Sequence, residues 1–221
     1  GRTPEGIDLG SEHFEVLDRP EPLMIVGEGT SAYEAGQVWH LLDTRVDMPI
    51  TKVDRTDYDR VHLPDYNTMV LVSGTYDFLG EEQIEALREW VAAGGTLITI
   101  REATEWAVEA GLVNDPALTE DDAPADTAAE TTERYAYGRA DEIEGAQRIG
   151  GSIYEVDLDR THPLAFGVTQ ERFPVYRDHR IFLPPTDNPY STVARYTAEP
   201  LLSGYVSAEN LDRIRRSGAL M

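Results

Sequence analysis

GGTLITIREATEW, residues Gly94–Trp106, reads as a double-glycine helix stop, an apolar strand over Thr96–Ile100 and an immediate turn into a helix. α/β enzymes place a nucleophile on such a strand-to-helix elbow, because the sharp turn lifts one side chain above the sheet. Here the elbow carries Arg101, Glu102 and Ala103, and no cysteine occurs anywhere in the 221 residues. The frame is that of an enzyme, without the usual attacking atom.

Working outward, the same alternation repeats on the N-terminal side. Leu23–Val26 (LMIV) is a continuous apolar run between Pro22 and Gly27, the pattern of a strand buried on both faces. Gly27-Glu28-Gly29-Thr30-Ser31 turns into a helix that begins with a Ser31/Glu34 capping box and carries Ala35, Val38, Trp39 and Leu42 on one face. Ile50–Val53 and Thr68–Val72 predict two further strands, the latter ending at Ser73-Gly74. Gly80, Glu81 and Glu82 open a helix whose core face is Ile84, Leu87, Trp90 and Val91, the acids sitting where the helix dipole favours them. Strands alternating with helices predict βαβ units and a parallel sheet. The expected fold class is α/β: one doubly wound, mostly parallel sheet in a flavodoxin-like three-layer sandwich over 22–221, with 1–21 as a linker or extended arm.

The pattern changes after Gly111. Residues 102–133 hold ten acids and no Lys or Arg, and 114–133 has almost no core formers, which predicts an acidic, flexible excursion. Beyond it Ser152–Leu158 alternates as a half-buried strand, and Phe173–Tyr176, Ile181–Leu183 and Ser191–Tyr196 are shorter strand candidates. The opening GRTPEGIDLGSEHF reads as a linker within a longer polypeptide, and the closing RIRRSGALM as the approach to a strand, so a truncated C-terminal end is expected.

Forty-one acids against 19 bases give a formal charge of −22, and Lys52 is the only lysine. That balance opposes nucleic acid and anionic membranes, which bind through basic side chains, and suits high ionic strength. No apolar run approaches the ~20 residues of a membrane span. Without cysteine there is no thiolate chemistry, and the histidines (His13, His40, His62, His162, His179) share no helix face. His40/Asp43 and His62/Asp65 are H-x-x-D pairs, short of a catalytic zinc pattern. No metal site and no cofactor is expected in this chain. Gly27-Glu28-Gly29 stands where a phosphate cradle would, but it lacks the third glycine of G-x-G-x-x-G and carries a repelling carboxylate. A flavin at the same switch point stays open, as does a hydrolase using Ser73 or Thr75.

LMIVGEGTSAYEAGQVWHLLD, YNTMVLVSGTY and REWVAAGGTLITIREATEWAVEAGL resemble the class I glutamine amidotransferase-like domain, in the version found at the C-terminus of large secreted zinc carboxypeptidases (the carboxypeptidase A-like metallopeptidases). IGGSIYEVDLDRTHPLAFG, Asn188-Pro189-Tyr190 and PLLSGYVSAENL extend the likeness from about Pro22 to the end. Amidotransferases of that family carry a Cys at the elbow and a late His-x-Glu. The corresponding positions here are Arg101-Glu102-Ala103 and His162-Pro163-Leu164, so the resemblance implies the scaffold without the triad. It further implies a secreted or periplasmic, non-catalytic accessory domain of a zinc metallocarboxypeptidase, with zinc held only in an upstream domain. The implied partners are that peptidase domain and peptide or wall material, with no nucleic acid and no membrane insertion. The expected cleft, at the strand C-terminal ends, consists of Gly27, Glu28, Gly29, Ser73, Gly74, Thr75, Arg101 and Glu102, with Glu28 and Glu102 facing one another.

Overall fold

Leu23, Met24 and Ile25 are completely shielded from solvent, the burial expected of a central parallel strand flanked on both faces. The computed structural model, which describes residues 6, 10–11, 18–113, 136–146, 148–184 and 188–220, sets them in β1 (Pro22–Val26). The stretch 114–133, much of the N-terminal arm and His13 lie outside the described residues. The chain divides into two compact units, Gly1–Ile100 and Arg101–Met221.

In the first unit β1 pairs in parallel with β2 (Thr51–Asp54) on one side and β3 (Thr68–Leu71) on the other, and β3 pairs with β4 (Thr96–Thr99), giving the order β2-β1-β3-β4. Helix α1 (Ala32–Trp39) starts at Ser31, whose hydroxyl accepts the Glu34 N–H at 3.3 Å. The chain continues into a π-helical turn, His40–Arg45, that keeps Leu42 against the core of Met24, Ile50, Val70 and Val72. Helix α2 (Glu81–Ala92) buries Leu87 and Trp90, while Val91, expected on the core face, is 37% exposed. Both glycines of the predicted stop have a physical reason. Gly94 sits at φ +110°, and a Cβ on Gly95 would lie 2.4 Å from the Trp90 ring.

The expectation of a single, mostly parallel, doubly wound sheet is corrected in the second unit. There β5 (Ser152–Leu158), β6 (Arg172–Arg177), β7 (Ala194–Ser203) and β8 (Gly218–Leu220) form a separate antiparallel sheet in the order β6-β5-β7-β8. The reason lies in β5, whose side chains alternate between buried and half-buried along its whole length. A strand with one wet face suits an antiparallel sheet, whereas parallel strands between helical layers are apolar throughout. The predicted strand at Ile181–Leu183 reduces to a single bridge from Leu183 to Gly218. Conversely, β7 runs ten residues, past Pro200, because register shifts against β5 absorb the irregularity. Helices α3 (Glu102–Glu109), α4 (Ala140–Ala146) and α5 (Ala208–Arg215) complete the unit. Its main core joins Tyr154, Val156 and Tyr196 of the sheet to Ile214 of α5, with Ile149 and Val206.

Candidate functional site

In a sheet of order β2-β1-β3-β4 the chain reverses its direction of travel at β1, so the crevice beyond the ends of β1 and β3 is where a ligand would sit. The first unit brings six of the predicted site residues together there, as a seal. Ser31 N–H donates to the Ser73 carbonyl at 2.8 Å, and Thr75 N–H donates to the Gly29 carbonyl at 3.0 Å. Thr30 and Gly74 form a bridge so close that a Cβ on Gly74 would lie 2.5 Å from the Gly29 oxygen. The predicted capping box is half formed. Instead of reaching back to Ser31, the Glu34 carboxylate accepts the Ser73 N–H at 2.8 Å and the Ser73 hydroxyl at 3.0 Å.

The end of β2 adds a third stitch. Arg55 donates to the Glu28 carbonyl at 2.9 Å and stacks on Phe78, 4.9 Å from its ring centre. Gly27 and Gly29 take φ of +112° and +86°, and the Asp54 carboxylate stands where a Gly27 Cβ would be, 2.6 Å away. Two bonds from Thr56 hold that carboxyl below its ordinary pKa. A negative group beside the glycine turn, with Glu28 exposed next to it, opposes a phosphate.

Arg101 and Glu102 belong to the second unit, and Glu28 to the first, so the expected Glu28/Glu102 pairing is not part of either unit. The elbow itself has the strain of a nucleophile turn: Arg101 sits at φ +56°, ψ −121°, an unusual place for a residue with a side chain. Its guanidinium lies 3.5 Å from Asp178 and 3.7 Å from Glu102. Asp178 leads into His179, whose pKa is lowered to about 4 by burial first and then by Arg177 and Arg101, against the opposing pull of Asp178 and Glu102. The Ile181 N–H points to His179 Nδ1 at 3.3 Å, which assigns the proton of the neutral ring to Nε2.

The late histidine near the elbow is thus His179, where the sequence suggested His162. His162 caps a short 3-10 turn instead, accepting the Leu164 N–H at 3.2 Å. The missed signal was the charge-dense run Arg177-Asp178-His179-Arg180 closing an aromatic strand. Arg177 is 3% exposed, donates to the Tyr196 hydroxyl at 3.1 Å and to the Ile181 carbonyl, and stacks on Phe182, which Arg213 also covers at 4.0 Å. These cations hold the sheet against α5 through ring faces. His62 pairs with Asp65 at 2.9 Å on the surface, and His40 ends α1. Among the described residues no three His, Asp or Glu side chains gather as metal ligands, and no helix is long and apolar enough to cross a membrane.

A cavity of about 830 Å³ opens elsewhere in the second unit, over the end of β5 and the starts of β7 and β8. Arg160, Arg195, Arg215 and Arg216 line it together with Asp157, Asp159 and Glu171.

The chain therefore combines a parallel α/β unit with an antiparallel sheet unit that begins at the strained Arg101. Residues 30–199 match the family described as Domain of unknown function (DUF4350), and the chain belongs to that family. The match begins in the turn after β1 and ends within β7, so it takes in both units. No curated protein matches the chain at a significant level.

Proposed function

We propose that this chain is a non-catalytic binding module that keeps an enzyme-like elbow and sets a fixed cation in it. The observation that carries the reading is Arg101 at φ +56°, ψ −121°. Holding a side chain there costs about 1–3 kcal/mol, and the side chain so held is a guanidinium, which cannot act as a nucleophile. The hydroxyl alternatives give no support to hydrolysis. Ser73 is 9% exposed and donates to Glu34, and the Thr75 backbone is tied to Gly29. A flavin or nucleotide at the switch point is opposed by the same stitches and by Asp54 and Glu28. Neither the family match nor any feature of the two units adds support to a zinc carboxypeptidase setting or to secretion, so the proposed role is binding alone.

A fluorophosphonate probe, which captures activated serine and threonine hydroxyls, tests the reading. Peptide mass spectrometry of the treated 221-residue chain should find no adduct on Ser73, Thr75 or any other hydroxyl. An adduct on Ser73 that disappears in Ser73→Ala would make the chain a hydrolase and overturn the proposal.

A further inference from the structure

The cavity of the second unit gathers four arginines around open space in an otherwise acidic chain. Four arginines stand there against three acids, in a chain whose formal charge is −22. The internal pairings leave the arginines better placed to bind than the acids. Asp159 is engaged by Thr161 through its N–H at 2.9 Å and its hydroxyl at 2.7 Å, and those bonds hold its carboxyl below the usual range. Asp157 faces Arg195 Nε at 4.0 Å. Among the described residues, Arg216 is committed to Asp212 at 2.7 Å, whereas Arg195 engages Asp157 through Nε and acts electrostatically on Asp159, and Arg160 turns its Nε toward the Val168 carbonyl at 3.4 Å. Arg215 is exposed at the rim. The floor is packed: Leu158 of β5, Val193 just before β7 and Gly218 of β8 are buried, and the Ser217 hydroxyl is turned away to the Ile214 carbonyl.

From this arrangement we propose that the cavity is a binding site for a small ligand, or a ligand end-group, bearing two or more oxyanions held by Arg160, Arg195 and Arg215. A guanidinium presents parallel N–H donors that match a carboxylate or phosphate edge, and three such forks around one hollow favour a ligand with several anionic groups. A volume of about 830 Å³ falls within the range of small-molecule sites, roughly 300–1,000 Å³. Nucleic acid remains excluded, since its long charged backbone would run beyond the cavity over an acidic surface. The inference goes beyond the reading above, since the cavity lining does not include Arg101 or its elbow.

Calorimetric titration of the 221-residue chain with citrate and, separately, with pyrophosphate tests the site. At an ionic strength of about 0.15 M screening extends over roughly 8 Å, so the cavity's own charges dominate. Heat from citrate assigns carboxylates, heat from pyrophosphate assigns phosphates, and either supports the site. Arg195→Gln and Arg215→Gln should each weaken binding about ten-fold or more, the loss of a charge-assisted hydrogen bond. Arg88→Gln, in the first unit, should leave binding unchanged, and thermal midpoints confirm that each variant folds. Arg215→Lys should also weaken binding, because it keeps the charge and loses the fork. Absence of binding to both ligands, or equal affinities in Arg88→Gln and Arg195→Gln, overturns the site. A fluorophosphonate adduct with citrate binding intact would sink the non-catalytic reading alone, and no binding with no adduct would sink the cavity alone.

Discussion

Replacing Arg101 by glycine and by alanine gives opposite expectations from those at an ordinary helix start. Both variants lose the same contact with Asp178, 3.5 Å long and about a third exposed on each side, which is worth at most about 1 kcal/mol. They differ in the backbone. At φ +56°, ψ −121° an alanine keeps the strain of about 1–3 kcal/mol, whereas glycine is at ease in the positive-φ region. Glycine returns about 0.5–1 kcal/mol of that through its freer unfolded chain. Arg101→Gly should therefore be more stable than Arg101→Ala by about 1 kcal/mol, a gap of about 2–4 °C in Tm for a chain of this size. Urea unfolding followed by fluorescence reads it, because Trp106 is the only tryptophan beyond residue 100 and sits in α3 beside the elbow. An alanine variant equal to or more stable than the glycine variant would mean that the elbow is unstrained, and the reasoning from Arg101 would fail.

Two other expectations concern named contacts. Glu34→Ala leaves the nearly buried Ser73 without the acceptor of two bonds, so it should cost about 2–4 kcal/mol in urea unfolding. In a double-mutant cycle Ser73→Ala should recover part of that loss, and strict additivity would count against the contact. His179 has a folded pKa lowered to about 4 from the ordinary 6.5 of histidine, so its contribution is fully present above about pH 6.5 and is lost as pH falls toward 4. The shift corresponds to about 3 kcal/mol, and nearer 2 at a partly exposed ring. His179→Asn should flatten the stability–pH curve across that window relative to the parent chain, and parallel curves would show that His179 is not held neutral.

The first unit was legible because its signals are local. LMIV and TMVLV are too continuous for anything but strands buried on both faces, and Gly94-Gly95 marks a real helix stop. The elbow, read as Arg101-Glu102-Ala103, has its positive-φ residue at Arg101, which the sequence did not single out. The second unit was misread because strand and sheet are different levels of information. The alternation of SIYEVDL correctly located β5 and also carried the signature of an antiparallel sheet, which the single-sheet reading overrode. His179 could not be found by spacing, since its relation to Arg101 is made by the turn after β6, far away in sequence. The arginine cavity is of the same kind, collecting residues from Asp157 to Gly218. Glu34 illustrates the reverse error, in which a correct local motif, S-x-x-E, was diverted by a partner 39 residues away.

The strand-end crevice of the first unit is closed by its own turns. Amide hydrogen exchange at Ser31, Ser73 and Thr75 tests that closure, because the Ser31 and Thr75 N–H groups join the loops after β1 and β3 and the Ser73 N–H is held by the Glu34 carboxylate of α1. The account predicts that they exchange as slowly as Ile25 and Val70 in the adjoining strands, through the same global opening. Exchange at these three amides near the rate of an open loop, with β1 and β3 still protected, would show an accessible crevice and contradict the account.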